Sequence, residues 1–247
     1  MESRLTYAET LLAAHRGQQL PEAIAPSPPQ DLASAMRAQG EVARGLRATL
    51  VGWKVGFSPD GAAVAGPIYA SVLQPSPASV ALPERGFIVE IELAFRLARD
   101  LPAKPYTRDE ILEAAEEALI GVELIAGRFG EPPAVPYFAF VADNIGNAGY
   151  VTGASTGRFR SLDLKALSLR FTVDGEVVQE GRGGHPQGDP VEPLRAYASK
   201  PNDDLGGLRK GQLITTGSLT KPLRIDRAAR IEASLEAVGQ VVVDLTR

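Results

Sequence analysis

The segment Ile88-Val89-Glu90-Ile91-Glu92-Leu93-Ala94-Phe95 sets two glutamates two residues apart in an otherwise apolar run. A β-strand turns successive side chains to opposite faces, so Glu90 and Glu92 share one face while Val89 and Ile91 occupy the other. Neighbouring carboxylates repel each other and raise each other's pKa unless a cation lies between them. The segment therefore predicts a strand whose acidic face is either solvated or a site for a divalent metal with oxygen ligands.

A third acid, Glu123, lies in a second short apolar run, Gly121-Val122-Glu123-Leu124-Ile125. The capping box Thr107-Arg108-Asp109-Glu110 and an apolar stripe that continues to Leu119 predict a helix in front of this run. Consecutive strands commonly neighbour each other, so we expect Glu123 to lie near the first two acids. Three carboxylates from two strands would half-fill an octahedral shell and leave positions open for a substrate.

Composition narrows the classes of function. The 247 residues are enough for one large domain, or for a small cap with a main domain. A net charge of -4 offers no basic surface for nucleic acid. The absence of cysteine excludes disulfides, zinc fingers, thiolate nucleophiles and iron–sulfur clusters, and two histidines are too few for a histidine-rich site, so any metal is expected to be Mg²⁺ or Mn²⁺.

The sequence gives no sign of a membrane or of secretion. No apolar run approaches the ~18 residues that a transmembrane helix needs. Residues 1–6 lack the apolar region of a signal peptide. We therefore expect a cytoplasmic protein that does not associate with membranes.

The first part of the chain predicts a helical cap. Thr6 and Glu9 have the spacing of a capping box, which predicts a helix that ends near His15, where a cation favours the helix dipole. Prolines between positions 21 and 29 break the chain, and a second helix is expected to begin near Asp31. From Leu50 onward, short alternating runs separated by glycine and proline are typical of a mainly β domain.

Four further predictions concern secondary structure in this β domain. We expect a loop over positions 58–83, with a short strand at Ile68-Tyr69-Ala70-Ser71-Val72-Leu73. Asp174-Gly175-Glu176 predicts the turn of a hairpin. A helix is expected from Pro190 to Ala198, and a closing hairpin around Val238-Gly239-Gln240.

Three other stretches contain candidate site residues. Lys54 alternates with Gly52 and Gly56, so its ammonium either projects into an uncrowded cavity or faces solvent. Asp143, in an amide-rich stretch, serves either a site or a tight turn. His185, in the glycine-rich loop Gly181-Arg182-Gly183-Gly184-His185-Pro186, is a candidate to line a site.

Taken in order, these motifs resemble the 2-oxopent-4-enoate hydratase family of the fumarylacetoacetate hydrolase superfamily. This family comprises 2-hydroxypenta-2,4-dienoate hydratases and the related 4-oxalocrotonate decarboxylases. The resemblance spans nearly the whole chain. Five motifs carry it: Gly52-Trp53-Lys54-Val55-Gly56, Glu90-Ile91-Glu92, Glu123, Ala142-Asp143-Asn144 and Thr216-Gly217-Ser218-Leu219.

The resemblance implies a fold, a cofactor and an assembly. The expected fold is α+β, a mixed β-roll or distorted barrel with flanking helices, in which residues 1–49 form the helical cap and residues 50–247 the catalytic domain. The expected cofactor is Mg²⁺ or Mn²⁺, and a homo-oligomer is expected. The implied metal ligands are Glu90, Glu92 and Glu123. The implied catalytic residue is Lys54, with Asp143 in support. The residues implied to hold a 2-oxo acid are Ser218, Gly217, Leu219 and His185.

The implied reaction is the addition of water to a 2-hydroxydienoate, of the type that converts 2-hydroxypenta-2,4-dienoate to 4-hydroxy-2-oxopentanoate in aromatic degradation. The chain departs from the family at Ser58-Pro59-Asp60-Gly61-Ala62-Ala63 and Gly66-Pro67-Ile68-Tyr69. It also has Ala126 at a position where the family has an acid. These departures leave decarboxylation of a 4-oxalocrotonate-type acid open. An acylpyruvate hydrolase and an inactive metal-binding homologue are the remaining alternatives.

Overall fold

The computed structural model describes residues 5–18 and 27–247. Two predictions fall mostly on residues outside this part of the chain. They are the lack of a signal peptide's apolar region at positions 1–6 and the proline break at positions 21–29. The helices within it are α1 Tyr7–His15, α2 Leu32–Leu46, α3 Arg108–Ala114, α4 Tyr137–Ala142 and α5 Glu192–Ser199. The strands are β1 Leu50–Phe57, β2 Ala63–Tyr69, β3 Leu73–Pro75, β4 Ala78–Ala81, β5 Phe87–Leu97, β6 Ala115–Ile125, β7 Asn147–Thr156, β8 Ser168–Val173, β9 Glu176–Arg182, β10 Leu213–Ser218, β11 Leu223–Ile225, β12 Ala229–Leu235 and β13 Gly239–Thr246.

Two mixed sheets form the body of the molecule. An eight-stranded sheet has the order β2-β1-β10-β5-β6-β7-β3, with β11 paired to β5. A five-stranded sheet has the order β4-β13-β12-β8-β9. One hydrophobic core contains side chains from both sheets, among them Val122 and Val243. The expected α+β class, with mixed β-structure and flanking helices, is confirmed.

Strand β5 has the alternation that its sequence predicts. Val89, Ile91 and Leu93 are fully buried in the large core, at 0% exposure. Glu90 and Glu92 therefore point to the opposite face of the sheet.

The helix expected to run to Leu119 is wrong beyond Ala114, because residues from Ala115 belong to strand β6. β6 pairs with β5 from Ile125 to Ala115 and with β7 on its other side. An alanine-rich stretch gains at most about 0.7 kcal/mol per residue from helix propensity, which pairing and burial in the middle of a sheet override.

The loop expected over positions 58–83 is also wrong, since it contains strand β2. This strand pairs with β1 from Tyr69 to Ala63 and forms one edge of the eight-stranded sheet. Its small residues, with a proline at position 67, hide the strand from sequence analysis, and a proline is tolerated because the strand lies at an edge. The short strand predicted near Ile68 gives way to a 3₁₀ turn at Ala70–Val72.

Helix starts and hairpins agree with their local signals. Thr6 and Glu9 cap α1 reciprocally, and Asp31 caps α2. Asp174 and Gly175 both have positive φ in the turn between β8 and β9. Helices α1 and α2 pack against α4, and the division of the chain after residue 49 stays a prediction. Within the described residues, no helix has the length and apolarity that a membrane crossing requires.

Candidate metal centre

Three glutamates converge on the face of the sheet opposite the large core. Glu90 on β5 lies directly across from Glu123 on β6, and Glu92 follows two residues along β5. One carboxylate oxygen from each lies within 4.8 Å of the others. Glu92 and Glu123 are almost fully buried, at 1% and 0% exposure. Three acids therefore share a small volume that is largely shielded from water.

Lys54 on β1 provides a positive charge beside this cluster. Its Nζ lies 2.7 Å from Oε1 of Glu123 and donates a hydrogen bond of 3.1 Å to the carbonyl of Ile145. Burial lowers the pKa of Lys54, but the charges of Glu123, Glu90 and Glu92 outweigh burial and raise the pKa above its ordinary value. Lys54 is therefore an ammonium at neutral pH.

Hydrogen bonds orient two of the three acids. Thr215 on β10 donates to Glu92, and Tyr150 donates to Thr215 at 3.2 Å. The side-chain amide of Asn147 donates to Oε1 of Glu123 at 2.8 Å. These partners were missed from the sequence, because no motif marks Thr215 or Tyr150. Their effect is to hold the carboxylates in one arrangement.

The cluster fits a divalent cation. Three carboxylates face one ammonium, so the site has a formal charge of -2 when all of them are ionised. Burial raises the pKa of Glu90 to about 7, with Glu123 adding to the shift and Lys54 opposing it. Burial likewise raises the pKa of Glu92 well above its usual range. The buried Oε2 of Glu123 has no hydrogen-bond partner, so this all-oxygen donor set has capacity left for a hard metal ion.

A cavity of about 410 Å³ opens onto the cluster. Lys54, Glu90 and Glu92 line it, while Glu123 lies behind them. Much of the remaining wall is apolar and includes Phe57 and Ile145. This arrangement can hold a small acid with one end against the lysine and the three acids.

Of the four residues predicted to hold a substrate, Gly217 lines the cavity. It has φ +106 at an irregularity in the pairing of β10 with β5. The hydroxyl of Ser218 donates to the carbonyl of Thr220 at 2.8 Å, and the N–H of Leu219 donates to the carbonyl of Ile91 at 2.8 Å. Both are thus engaged within the protein, and the substrate-binding roles of these residues stay predictions.

His185 lies behind Gly217. A Cβ added at Gly217 would lie 3.3 Å from Nε2 of His185. Nδ1 accepts from the N–H of Gln187 at 3.2 Å, which leaves Nε2 to donate to the carbonyl of Thr216 at 2.8 Å. Burial lowers the pKa of His185. The imidazole is therefore neutral and supports the loop from behind.

Asp143 is buried near the site, but it does not line the cavity. Its carboxylate lies 3.1 Å from Nη1 of Arg128 and 3.6 Å from Nε2 of His15. The chain then turns through Asn144 and Ile145, both with positive φ. Such a conformation is strained for a β-branched residue. Asp143 therefore anchors the turn that carries the carbonyl bound by Lys54.

We expect Arg128→Met to lower the free energy of unfolding by about 3 kcal/mol, because the 3%-exposed Asp143 then keeps a buried charge without its guanidinium partner. The matched control is Arg44→Met, which breaks an exposed pair with Asp204 and should cost about 1 kcal/mol or less. Urea denaturation of both variants measures the difference. Equal costs would contradict the anchoring role of Arg128.

Comparison with known proteins supplies further findings. Residues 41–246 match the sequence profile of the fumarylacetoacetate (FAA) hydrolase C-terminal family. A 2-keto-4-pentenoate hydratase from Paraburkholderia phymatum is 31% identical over 181 residues, which cover 71% of this chain and 67% of that protein. A protein of the same name from Burkholderia vietnamiensis is 30% identical over 158 residues, which cover 64% of this chain and 60% of the relative.

A solved structure shares the fold over nearly the whole chain. 4-Oxalocrotonate decarboxylase from Pseudomonas putida G7, complexed with magnesium and adipate, superposes with a TM-score of 0.83. The superposition covers 97% of this chain and 96% of that one, at 20% sequence identity. At this identity the likeness concerns the fold.

Proposed function

The chain belongs to the fumarylacetoacetate hydrolase family, and from this premise we propose that it is a divalent-metal-dependent hydratase of 2-hydroxy-2,4-dienoates. The reaction is of the type that yields 4-hydroxy-2-oxopentanoate. The observation that carries the proposal is the convergence of three carboxylates and Lys54 at one cavity. The relatives named as hydratases, at 31% and 30% identity, support the same reaction.

Glu90, Glu92 and Glu123 would hold the metal. Oxygen-only donors favour Mg²⁺, with Mn²⁺ as the alternative. When bound, the ion supplies Lewis-acid chemistry that stabilises negative charge on a 2-oxo acid. The three glutamates would fix the position of the metal ion relative to Lys54.

Lys54 holds a proton at Nζ beside the cavity. Its hydrogen bond to the carbonyl of Ile145 and its pair with Glu123 fix the direction of the ammonium. Its raised pKa keeps it positively charged and suits it to stabilise negative charge on the C2 oxygen, and its position beside the cavity makes it the candidate for proton transfer. Protonation of the dienol at C5, with loss of the proton from its C2 hydroxyl, gives a conjugated enone. Water then adds at C4, and a proton is taken up at C3.

Asp143 would act as a positioning residue through the turn at residues 143–147. Gly217, together with Ser218 and Leu219, would surround the carboxylate end of the substrate. His185 would support this loop from behind through Thr216.

Hydrolysis of an acylpyruvate is a weaker candidate. It needs a base that activates water. The chain has two histidines, and neither lines the described wall of the cavity: His15 lies against Asp143, and His185 is bonded to Thr216. Decarboxylation would use the same three carboxylates. Release of carbon dioxide distinguishes it from hydration.

The direct test is to follow dienoate absorbance and carbon dioxide release together, with Mg²⁺ and after its removal by EDTA. We expect Mg²⁺-dependent loss of dienoate absorbance without carbon dioxide. Stoichiometric carbon dioxide would assign decarboxylation instead. If Mg²⁺ changes neither dienoate absorbance nor carbon dioxide release with any dienoate, both lyase reactions are rejected.

We also propose a cytoplasmic location, a homo-oligomer, and a boundary after residue 49 between a helical cap and the catalytic domain. The homo-oligomer and the boundary follow from the family resemblance.

A further inference from the structure

The wall of the cavity away from the metal centre is apolar. Six of its side chains come from four parts of the chain and enclose this space: Phe57, Ile88, Ile125, Tyr137, Phe140 and Ile145. Phe140 also packs against the strained turn, since a Cβ added at Gly146 would lie 2.4 Å from its ring. Phe140 is therefore held in place by packing against this turn.

Charge is distributed unevenly around this cavity. Among the described residues that line it, the charged ones are Lys54, Glu90, Glu92 and Glu131, so Lys54 is the single cation in that set. Lys54 is already bound to Glu123 at the metal end. The wall away from the metal centre thus offers a substrate no free positive charge.

Glu131 adds an acid to this wall. One oxygen accepts from the N–H of Gly127 at 3.1 Å, and the other lies 2.9 Å from Nη2 of Arg224. Arg224 is thus already paired, and it is absent from the described lining. A second carboxylate on a substrate would lie against apolar groups and against Glu131, which is already paired with Arg224.

The cost of burying a second carboxylate is large on this wall. An ionised carboxylate moved from water into an apolar site without a partner loses several kcal/mol. An alkyl or aryl group in the same place gains roughly 25 cal/mol for each Å² of apolar surface that it buries. The cost of burying a second carboxylate and the gain from burying an apolar group both favour a substrate with an apolar substituent at this wall.

The volume of the cavity points the same way. At about 410 Å³ it lies within the range of roughly 300–1,000 Å³ that is typical of pockets for drug-sized ligands. A five-carbon dienoate is much smaller than such ligands. The cavity therefore has space for a substituent beyond the reacting carbons.

Resting on the proposed function, we propose that the substrate is a monocarboxylate 2-hydroxydienoate with an apolar alkyl or aryl substituent larger than methyl at C5. Phe57, Tyr137 and Phe140 select this substituent, and dicarboxylates are rejected. Phe57, the last residue of β1, directly precedes the segment beginning at Ser58 in which the sequence departs from its family.

Binding of unreactive 2-oxo acids tests this assignment without turnover. In isothermal titration with Mg²⁺ present, 2-oxohexanoate should bind at least tenfold more tightly than 2-oxoadipate, which has the same chain length and a second carboxylate. Tyr137→Arg places a cation on the apolar wall and should narrow or reverse this preference, whereas Tyr137→Phe should keep it. Glu131→Gln is a second variant that removes an acid without adding bulk, and it should weaken the preference.

Turnover provides the second readout. The ratio kcat/KM should be higher for the 5-propyl dienoate than for the unsubstituted dienoate, and lowest for the 5-carboxyl analogue. Equal or tighter binding of 2-oxoadipate, or preferred turnover of the 5-carboxyl analogue, would overturn the inference and leave hydration standing. Selective binding of 2-oxohexanoate without hydration of any dienoate would instead contradict the proposed function alone.

Discussion

Glu90→Gln is expected to lower kcat/KM by about a thousandfold or more while the protein stays folded. Glutamine keeps the size of the side chain but removes one of three negative charges that face the metal position, and each charge-assisted contact contributes several kcal/mol in a buried site. Titration calorimetry with Mg²⁺ should show lost or strongly weakened binding. Unchanged activity would reject the metal site.

The same variant should be more stable than the parent protein when both are free of metal. The folded-state pKa of Glu90 is raised from 4.5 to about 7, so the folded protein binds more protons than the unfolded chain between these values. Stability of the metal-free parent should therefore fall as pH rises from about 4.5 to about 7, by on the order of 3 kcal/mol. Glu90→Gln should lack this contribution.

Denaturation of EDTA-treated protein at pH 5 and pH 8 measures the effect. The matched control is Glu180→Gln, on the far sheet in an exposed pair with Arg170, which should change neither metal binding nor the pH slope. A parent protein that gains stability over this range would contradict the raised pKa of Glu90, which burial causes and the charge of Glu123 increases.

Lys54→Met should separate metal binding from turnover. The ammonium provides positive charge and a proton at the cavity, and removal of a general acid typically costs 10²–10⁴-fold in rate. Because a cation is removed beside three carboxylates, Mg²⁺ should bind at least as tightly as in the parent protein. Calorimetry and dienoate absorbance together give both quantities.

Lys221→Met is the matched control for this variant, since Lys221 is exposed and the chemical change is identical. It should leave kcat and metal binding unchanged. If Lys54→Met kept full activity, Lys54 would have no role in proton transfer or charge stabilisation. If it lost metal binding as Glu90→Gln does, its role would be to hold the glutamates in place.

Local signals in the sequence predicted the elements that depend on neighbouring residues. The caps at Thr6 and Asp31 need a side chain and backbone N–H groups within one turn of helix. The alternation in β5 and the turn at Asp174 likewise involve residues next to each other in the chain. Such interactions are written in the spacing of residue types, and the two-residue spacing of Glu90 and Glu92 was sufficient to put them on one face.

Contacts between distant residues had to be seen in three dimensions. β6 is a strand because β5 and β7 lie on either side of it, although its alanine-rich start has helical spacing. Lys54 meets Glu123, 69 positions away, because β1, β10, β5 and β6 are adjacent in one sheet. The partners of Asp143 come from α1 and from the segment after β6. Patterning along the chain restricts which residues face one another, but the free energy that selects strand pairs and buried ion pairs comes from through-space contacts between residues far apart in sequence.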